Sequence, residues 1–461
     1  MATSIEAQTW DEVRSPYSGE TVGRVPRVGA AETRAAIDAA EHALAAPLPA
    51  HERAAILTRV ADSLRERHEE AAQTISAEAG KPIKAARTEA ARAVQTYIAA
   101  ADAARTLTGE TVPMDASPAG EGKLAFTLRV PIGVVGAISP FNFPLNLVAH
   151  KLAPALAAGC PVVLKPAPAT PLSALFLAEL TGDAGLPEGW LSVVCGPAQE
   201  IGDVLVEDER VKAITFTGSG PVGWELRRRA PRKRVLLELG NATPMIVAAD
   251  ADLERAASVA ATHAFAYSGQ ACISLQRIFV HRSVYDAFVA VFVPKVQALV
   301  VGDPADEATD VGPVIDERSR DRVLDWIARS GGDVLTGGML TDAGLIEPTV
   351  VASPREDSEL ACAEAFGPVC TVEPYEDVDD TFRRANATPY GLQAGIFTRD
   401  LSLALRAARA LEFGAVVVND APSIRVDHMP YGGIKASGNT REGPLYTARE
   451  LTEERLVVIQ Q

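Results

Sequence analysis

Two polar side chains stand among apolar residues in positions where they could do chemistry. Glu238 ends the apolar segment LLELG, where a charged carboxylate that is buried without a partner would be costly. Burial would raise its pKa and suit it to act as a general base near neutral pH. Asn142 stands between aromatic residues and prolines in SPFNFP, so its stiffly held amide could donate to a developing oxyanion. The alternative for Asn142 is a turn residue that caps the next helix.

Cys272 follows Glu238 in the chain and stands in a segment of small residues. Its neighbours Ala271 and Ser274 leave the sulfur uncrowded, and the apolar run 278–280 follows. This pattern is typical of a loop that displays one side chain at the end of a strand or helix. The alternative is a buried structural cysteine, because free cysteines are among the most buried residues in proteins.

Two further features suit the binding of a nucleotide. Lys165 ends the apolar segment VVLK, and a lysine at the carboxyl end of a parallel strand would face the crevice where nucleotides bind. The alternative is an ordinary solvated lysine. In AITFTGSGPVGWEL a strand leads into a helix, and Gly218, Gly220 and Gly223 have GxGxxG spacing. The N–H groups of such a helix start bind pyrophosphate, although glycines are also common turn residues after strands.

The elements that must position these residues alternate between strand and helix. Between 132 and 240 the strands are continuously apolar, which predicts a parallel sheet covered by helices on both faces. Before it, 10–27 predict a hairpin, and 29–108 predict a helical region that is broken at 80–82. A second alternating region follows as far as 418. A glycine-rich loop, a short helix and a last strand come after it.

The composition is that of a globular protein. Hydrophobic residues make up 47% of the chain, and a net charge of −16 argues against a nucleic-acid or membrane partner. The five cysteines form neither a CxxC pair nor a cluster with zinc-ligand spacing, which predicts no metal site and a reducing, cytoplasmic location. The first residues lack the features of a secretory signal. Four prolines break the apolar tract 132–164, so it is not expected to span a bilayer.

Seven motifs follow one another along the chain: PFNFP, LKPA, FTGS, ELGN, GQACISLQR, EAFGPV and PYGGIKxSGxxREG. In this order they resemble the aldehyde dehydrogenase superfamily, and the resemblance covers essentially the whole chain. The nearer resemblance is to the branch of lactaldehyde and phosphonoacetaldehyde dehydrogenases. It implies an α/β aldehyde dehydrogenase fold with a Rossmann-like cofactor domain, an α/β catalytic domain and a small β oligomerisation arm.

The resemblance also implies how the chain is divided. The NAD(P)-binding domain would comprise 1–117 and 132–240, the catalytic domain 241–436, and the arm 118–131 and 437–461. Because the arm would expose sheet edges to a neighbouring subunit, we expect a homodimer or homotetramer.

The resemblance implies oxidation of an aldehyde to its carboxylate with NAD or NADP. Cys272 would attack the aldehyde to give a thiohemiacetal, and Asn142 with the Cys272 N–H would stabilise its oxyanion. After hydride transfer, Glu238 would activate the water that hydrolyses the thioester. CoA-acylating relatives typically lack this base, so Glu238 favours release of a free carboxylate. The alternatives are a CoA-acylating semialdehyde dehydrogenase and a catalytically silent binding protein on the same fold.

The cofactor-binding residues are carried over from the matching motifs. They are Ser139, Pro140, Phe141, Lys165, Pro168, Gly218, Ser219, Val222, Leu239, Gly240, Glu364 and Phe366. Pro168 stands where many relatives have a glutamate that repels the 2′-phosphate of NADP. Without this repulsion, NADP should be accepted and NAD is not excluded.

The substrate residues are predicted from the same alignment. They are Asn146, His150, Ile273, Arg425 and Tyr431. His150 and Arg425 favour a small polar or anionic aldehyde over a long aliphatic one. The alternative is that Arg425 pairs with Asp420 or Asp427 and never contacts the substrate.

Overall fold

The structure, a computed structural model, describes residues 9–461 of the chain. Residues 1–8, where we predict no secretory signal, lie outside the described residues. The strands are β1 (Trp10–Arg14), β2 (Thr21–Pro26), β3 (Thr111–Val112), β4 (Lys123–Pro131), β5 (Val134–Ile138), β6 (Val162–Lys165), β7 (Leu191–Val193), β8 (Val211–Thr217), β9 (Arg234–Glu238), β10 (Thr243–Val247), β11 (Leu275–His281), β12 (Asp333–Thr336), β13 (Thr349–Ala352), β14 (Val369–Tyr375), β15 (Gln393–Phe397), β16 (Ala415–Val418) and β17 (Thr452–Gln460).

The helices alternate with these strands along most of the chain. They are α1 (Ala30–Leu44), α2 (Ala50–Glu66), α3 (His68–Ala79), α4 (Ile83–Thr106), α5 (Asn146–Ala158), α6 (Leu172–Asp183), α7 (Ala198–Glu207), α8 (Gly220–Arg229), α9 (Leu253–Phe265), α10 (Tyr285–Gln297), α11 (Glu317–Arg329), α12 (Glu359–Cys362), α13 (Val378–Asn386), α14 (Leu401–Ala410) and α15 (Pro444–Glu450). Short 3₁₀-helices include Ala266–Gly269, which follows α9.

The N-terminal part of the chain has the predicted hairpin and helices. Strands β1 and β2 pair antiparallel, and their buried residues Val13 and Val25 pack against Cys195. Helices α1 to α4 follow, and the break predicted at 80–82 separates α3 from α4. Gly80 ends α3 in the left-handed conformation typical of a helix C-terminus.

The five-stranded sheet has the strand order β7-β6-β5-β8-β9, and all of its pairs are parallel. Its apolar strands are buried on both faces, as the sequence predicts. From β5 the chain adds β6 and β7 on one side and then β8 and β9 on the other, so the strand order reverses between β5 and β8. Ligands bind at such switch points, outside the carboxyl ends of the strands. Asn142 follows β5 and Gly218 follows β8, so both border this crevice.

The seven-stranded sheet has the order β12-β13-β14-β11-β10-β15-β16, and only the β12–β13 pair is antiparallel. Helices α9 and α10 cover one face, where Ala257, Phe288 and Phe292 pack against the strands. Asp252 caps α9 by accepting a hydrogen bond from the Arg255 N–H at 3.1 Å. Cys272 lies between the Ala266–Gly269 turn and β11, so the sheet fixes the segment that follows the sulfur.

A three-stranded antiparallel sheet has the order β17-β4-β3. The strands β17 and β4 pair along nine positions, from Thr452 opposite Pro131 to Gln460 opposite Lys123. One edge of β17 has no neighbouring strand among the described residues. Several large apolar side chains of this pair are 42–55% exposed: Leu124, Leu128, Leu456, Val458 and Ile459. The division of the chain into three domains stays a prediction.

In the described part of the chain, no helix is both long and apolar enough to cross a membrane. Between residues 9 and 461, no group of three or more His, Cys, Asp or Glu side chains is placed to hold a metal ion. All five cysteines are free.

Candidate active site

The turn before Cys272 is held in an uncommon conformation. Tyr267 and Ser268 have φ values of 50° and 55°, a region that non-glycine residues occupy only when their surroundings hold them there. The Tyr267 hydroxyl donates to the Ala79 carbonyl at 3.1 Å, and the Ser268 hydroxyl donates to the Gly312 carbonyl at 2.7 Å. These two hydrogen bonds fix the path of the chain into Cys272.

Cys272 faces a small apolar cluster and one hydroxyl. Its sulfur lies 3.0 Å from the Tyr431 hydroxyl, and the residue packs with Ile273, Leu392 and Met429. Cys272 is partly exposed, yet the packing around its sulfur raises the thiol pKa to about 12. The thiol is therefore neutral at neutral pH and needs a base before it can act as a nucleophile.

Asn142 is buried against the segment that carries Cys272. Its Nδ2 donates to the Gln270 carbonyl at 2.9 Å, and its Oδ1 has no hydrogen-bond partner in the described chain. One Nδ2 hydrogen is left for another acceptor. The alternative, that Asn142 caps the next helix, is wrong. The first N–H groups of α5 donate instead to the Glu89 carboxylate.

Glu238 is the last residue of β9 and only 4% exposed. Neither of its carboxylate oxygens has a hydrogen-bond partner among residues 9–461. Burial raises the pKa of Glu238 well above its usual value, and the nearby Glu442 charge adds to the shift. The carboxylate is close enough to Cys272 for its charge to raise the thiol pKa. The predicted burial and raised pKa of Glu238 are therefore present.

The glycine-rich loop after β16 covers the exposed edge of β9. The Leu239 N–H donates to the Ser437 carbonyl at 2.9 Å, and the Ser437 hydroxyl donates to the Gly240 carbonyl at 2.6 Å. The Asn439 side chain accepts from the Leu237 N–H at 2.8 Å, as a neighbouring strand would. The loop thereby fixes the strand end that carries Glu238.

A buried carboxylate, Glu442, lies next to two basic side chains near Glu238. It accepts a hydrogen bond from Arg425 Nη2 at 2.6 Å, and its Oε1 lies 3.7 Å from Lys151 Nζ. Although burial opposes ionisation, the charge of Arg425 and then that of Lys151 hold the pKa of Glu442 below its usual range. The Arg425 guanidinium also lies over the Tyr431 ring, 3.9 Å from its centroid.

Arg425 pairs with Glu442 and not with Asp420 or Asp427, so the partner named in the alternative was wrong. Sequence reasoning missed Glu442 and Lys151. Glu442 stands in the REG end of the last motif, and Lys151 is the only Lys, Arg, Asp or Glu in the mostly apolar helix α5. These two signals could have identified them.

A second buried carboxylate, Asp427, accepts hydrogen bonds from three side chains. It accepts hydrogen bonds from Arg92 Nη2 at 2.9 Å, from Asn146 Nδ2 at 3.0 Å and from His150 Nε2 at 3.0 Å. Burial, followed by the Arg425 charge, lowers the pKa of His150 and keeps the ring neutral. Asn146 and His150 thus lie together on α5, as predicted. Arg92 and Asp427 were missed, because nothing in the sequence links two residues so far apart.

Lys165 ends β6 with its side chain almost entirely buried. Its ammonium donates to the Pro166 carbonyl at 2.9 Å, and burial lowers its pKa to about 8. The Ser139 N–H donates to the Lys165 carbonyl at 3.2 Å, which joins the loop 139–141 to this strand end. Pro168 is exposed in the following loop. The ammonium keeps hydrogens free for a hydroxyl or phosphate oxygen.

The segment 218–222 joins β8 to the start of α8. The Gly218 N–H donates to the Glu238 carbonyl at 3.1 Å, and the Ser219 side chain does not cap the helix. Val222 is 50% exposed in the first turn. The ten-residue helix α8 starts just after the carboxyl end of β8, where its N-terminal N–H groups are suited to a phosphate.

Glu364 and Phe366 lie against the loops after β5 and β9. Glu364 accepts a hydrogen bond from the Asn241 N–H at 3.0 Å, and burial raises its pKa to about 7. A Cβ at Gly240 would lie 2.3 Å from the Glu364 carboxylate, so a larger residue here would displace that side chain. Phe366 packs edge to face on Phe141, with ring centroids 5.7 Å apart. Together with Lys165 and α8, these residues fit a dinucleotide.

Known proteins similar to this chain cover nearly all of it. Residues 3–457 match the family model described as Aldehyde dehydrogenase family. The 3-sulfolactaldehyde dehydrogenase of Priestia megaterium is 45% identical over 451 residues, 97% of this chain and 94% of that protein. The lactaldehyde dehydrogenase of Methanocaldococcus jannaschii is 39% identical over 457 residues, 97% of each chain.

A solved structure agrees with this match. The glyceraldehyde-3-phosphate dehydrogenase GapN of Methanocaldococcus jannaschii, complexed with NADP, superposes with a TM-score of 0.94 at 39% identity. The alignment covers 98% of this chain and 100% of that one.

Proposed function

The chain belongs to the aldehyde dehydrogenase family, and we propose that it oxidises a small polar or anionic aldehyde to its carboxylate with NAD or NADP. The predicted family, its lactaldehyde-like branch and the α/β aldehyde dehydrogenase fold are confirmed. The protein is an oxidoreductase. Two observations support the proposed site. Asn142 donates a hydrogen bond to the chain two residues before the partly exposed Cys272, and the unpartnered Glu238 carboxylate is near enough for its charge to raise the thiol pKa.

Cys272 is the nucleophile in this proposal. Because burial keeps its thiol protonated, the attack on the aldehyde carbon needs a base, and Glu238 is the unpartnered carboxylate in the same cleft. The attack forms a carbon–sulfur bond and places negative charge on the former carbonyl oxygen. The free Nδ2 hydrogen of Asn142 and the Cys272 N–H stabilise that oxyanion.

A nicotinamide dinucleotide, when bound, supplies the acceptor for the hydride that leaves the thiohemiacetal. The N-terminus of α8 and the Lys165 ammonium would hold its phosphates and ribose. Glu364 and Phe366 would orient its reactive end against Cys272. Pro168 carries no charge that could repel a 2′-phosphate, which supports the acceptance of NADP as well as NAD.

Glu238 first releases the thiol proton to water, and the carboxylate so restored removes a proton from the water that attacks the thioester carbon. The carbon–sulfur bond breaks, the thiol is regenerated and the carboxylate leaves. Besides burial, neighbouring charges act on the pKa of Glu238. Glu442 raises this pKa, while Arg425 and Lys151 lower it. The presence of a buried carboxylate at this position favours water over CoA as the acyl acceptor.

The substrate class rests on the positive charge near the sulfur. Arg425 stacks on Tyr431, whose hydroxyl lies 3.0 Å from the sulfur, and Arg92 is partly exposed across the cleft. Each arginine has a carboxylate partner, so an incoming anion would share its hydrogen bonds rather than meet a free cation. Two of the similar proteins are named for anionic aldehydes, sulfolactaldehyde and glyceraldehyde-3-phosphate, which supports the same class.

We also propose that the chain forms a homodimer or homotetramer through the β17-β4-β3 sheet and works in the cytoplasm. The unpaired edge of β17 and the exposed apolar side chains beside it support the first proposal. The five free cysteines support a reducing compartment.

The test is formation of NAD(P)H from matched aldehydes. Lactaldehyde and 3-sulfolactaldehyde differ by one anionic group, and hexanal serves as the long aliphatic comparison, each with NAD and with NADP. We expect turnover with the anionic aldehyde to have the highest kcat/KM. Cys272→Ala should abolish it, whereas Cys362→Ala, which removes an exposed cysteine outside the cleft, should retain it.

Three outcomes would contradict the proposal. If Cys272→Ala were as active as the wild type, Cys272 would not be the nucleophile. Turnover that needs CoA would favour the acylating alternative. Silence with every aldehyde, together with a Cys272 that no alkylating reagent modifies, would favour the non-catalytic binding protein.

A further inference from the structure

A buried ion pair, Lys81 with Glu89, lies behind the proposed catalytic cleft and has no part in the mechanism above. Lys81 stands in the break between α3 and α4, and Glu89 lies on α4. Their side chains are 1% and 0% exposed, and the ammonium donates a hydrogen bond to the carboxylate. A buried ion pair gains little stability over apolar residues of the same size, so its contacts give the better indication of its role.

Glu89 fixes the start of α5. Its Oε1 accepts hydrogen bonds from the N–H groups of Leu145 and Asn146, at 2.9 and 3.0 Å. These N–H groups belong to the helix terminus and have no partner within the helix. The helix begins only four residues after Asn142. Glu89 therefore holds the segment PFNFP from its C-terminal side.

Lys81 contacts both sides of the cleft. Its Nζ lies 3.8 Å from the centroid of the Phe143 ring and 4.3 Å from that of the Tyr267 ring. Phe143 is the neighbour of Asn142, and Tyr267 lies in the left-handed turn before Cys272. The two rings also pack edge to face, 6.3 Å apart. One ammonium thus joins the segment of the amide donor to the segment of the nucleophile.

A direct hydrogen bond completes the connection. Asn142 Nδ2 donates to the Gln270 carbonyl, two residues before the sulfur. The side chain of Gln270 is itself fixed, since it donates to the Pro313 carbonyl at 3.3 Å and accepts from the Ile315 N–H at 2.8 Å. Any shift of the Phe143 or Tyr267 segment would change the distance between the amide and the sulfur.

We propose that Lys81 and Glu89 are positioning residues, which hold the Asn142 amide and the turn before Cys272 in one geometry for catalysis. The proposal rests on the proposed function for its kinetic consequence. It goes beyond that function by assigning a role to two residues that contact neither substrate nor cofactor. A displacement of about 1 Å in such a geometry can cost roughly 100-fold in rate.

The main variant is the double substitution Lys81→Met with Glu89→Leu. It replaces the ion pair by apolar side chains of similar volume and leaves no buried charge unpaired. We expect a folded protein with a lowered melting temperature, because the N–H groups of Leu145 and Asn146 lose their acceptor. Its kcat should fall roughly 10- to 100-fold, while the KM for NAD(P) stays within about twofold.

Glu78→Leu is the matched control. Glu78 is a fully buried carboxylate that accepts hydrogen bonds from the N–H groups of Leu172 and Ser173, and so caps α6 as Glu89 caps α5. It contacts neither Phe143 nor Tyr267 among the hydrogen bonds and ring contacts of the described chain. The kcat of the Glu78→Leu variant should stay within about twofold of the wild-type kcat.

The Asn142→Ala background separates positioning from general stability. If the pair acts through Asn142, the double substitution should cost less than about threefold in kcat once that amide is absent. The same loss in both backgrounds would overturn the proposal. So would a folded double variant with wild-type kcat.

Alkylation of Cys272 by iodoacetamide tests the geometry without any turnover. Release of the turn exposes the sulfur to water, so the double variant should react at least about fivefold faster at pH 7, and Glu78→Leu should react at the wild-type rate. Should the double variant fail to fold, Phe143→Leu removes only the ring beneath the ammonium and should show the same acceleration. An unchanged alkylation rate in the folded variant would overturn the proposal even if the wild type oxidised no aldehyde.

Discussion

Two proton equilibria at the residue scale control the proposed chemistry. The Cys272 thiol has a pKa raised to about 12 by burial, and burial with Glu442 raises the pKa of Glu238. Both shifts favour the neutral forms, yet the mechanism uses a thiolate and a carboxylate. The proposed reaction therefore requires Glu238 to lose its proton before it can accept the proton of the Cys272 thiol.

The pH dependence of turnover follows from the Glu238 shift. Because its folded pKa is raised by burial and by Glu442, the carboxylate forms at higher pH than in an ordinary glutamate, and the wild-type kcat should rise with pH well above the range in which an ordinary glutamate ionises. In Glu238→Gln, we expect kcat to fall by roughly 100- to 10,000-fold and this rise to disappear. The first turnover of NAD(P)H should also slow, because Glu238 is the proposed acceptor of the Cys272 thiol proton. Stopped-flow absorbance at several pH values measures both. A mutant with the wild-type pH profile would show that another group is the base.

The residue types that do chemistry were predictable, and their partners were not. Cys272, Glu238 and Asn142 each stand in a motif whose local composition marks them. Arg92 and Asp427 are 335 positions apart, and their hydrogen bond depends on how α4 meets the loop after β16. No local pattern contains that information, and for the same reason the alternative for Arg425 named Asp420 or Asp427 as its partner instead of Glu442.

At the scale of elements, the turn Ala266–Gly269 brings two loops together. Gly269 has a φ of 69°, and a Cβ there would lie 2.0 Å from the Gly367 carbonyl, one residue after Phe366. The turn of the nucleophile and the proposed nicotinamide loop are therefore in backbone contact. The strand and helix pattern was predictable from apolar periodicity, whereas this contact depends on tertiary packing.

Gly269→Ala should be strongly disruptive for this reason. The left-handed conformation and the overlap with a carbonyl oxygen together should lower the free energy of unfolding by more than about 2 kcal/mol. The control is Gly202→Ala in α7, where a Cβ would meet nothing within 4 Å and alanine should stabilise the helix by about 1 kcal/mol. Urea denaturation measures both. Equal stability of the two variants would contradict the contact.

At the scale of the whole molecule, the β17–β4 pair is the part that the rest of the chain does not cover. We expect the double substitution Leu456→Arg with Val458→Arg to produce a monomer, because two charges would be buried against a neighbouring subunit. Light scattering in solution measures the mass. Leu401→Arg with Leu405→Arg, on the exposed face of α14, is the control and should leave the assembly unchanged. An unchanged mass in the first variant would place the interface elsewhere.

The loop that closes over β9 has a consequence for the newly made chain. Gly240 and Ser437, which this loop joins, are 197 positions apart, so the ribosome delivers one long after the other. Until then the Glu238 carboxylate stays hydrated and has no Glu442 beside it. A nascent chain thus carries an ordinary glutamate and an ordinary cysteine. We expect aldehyde oxidation to begin only when the late segment arrives, so that this reaction is confined to finished molecules.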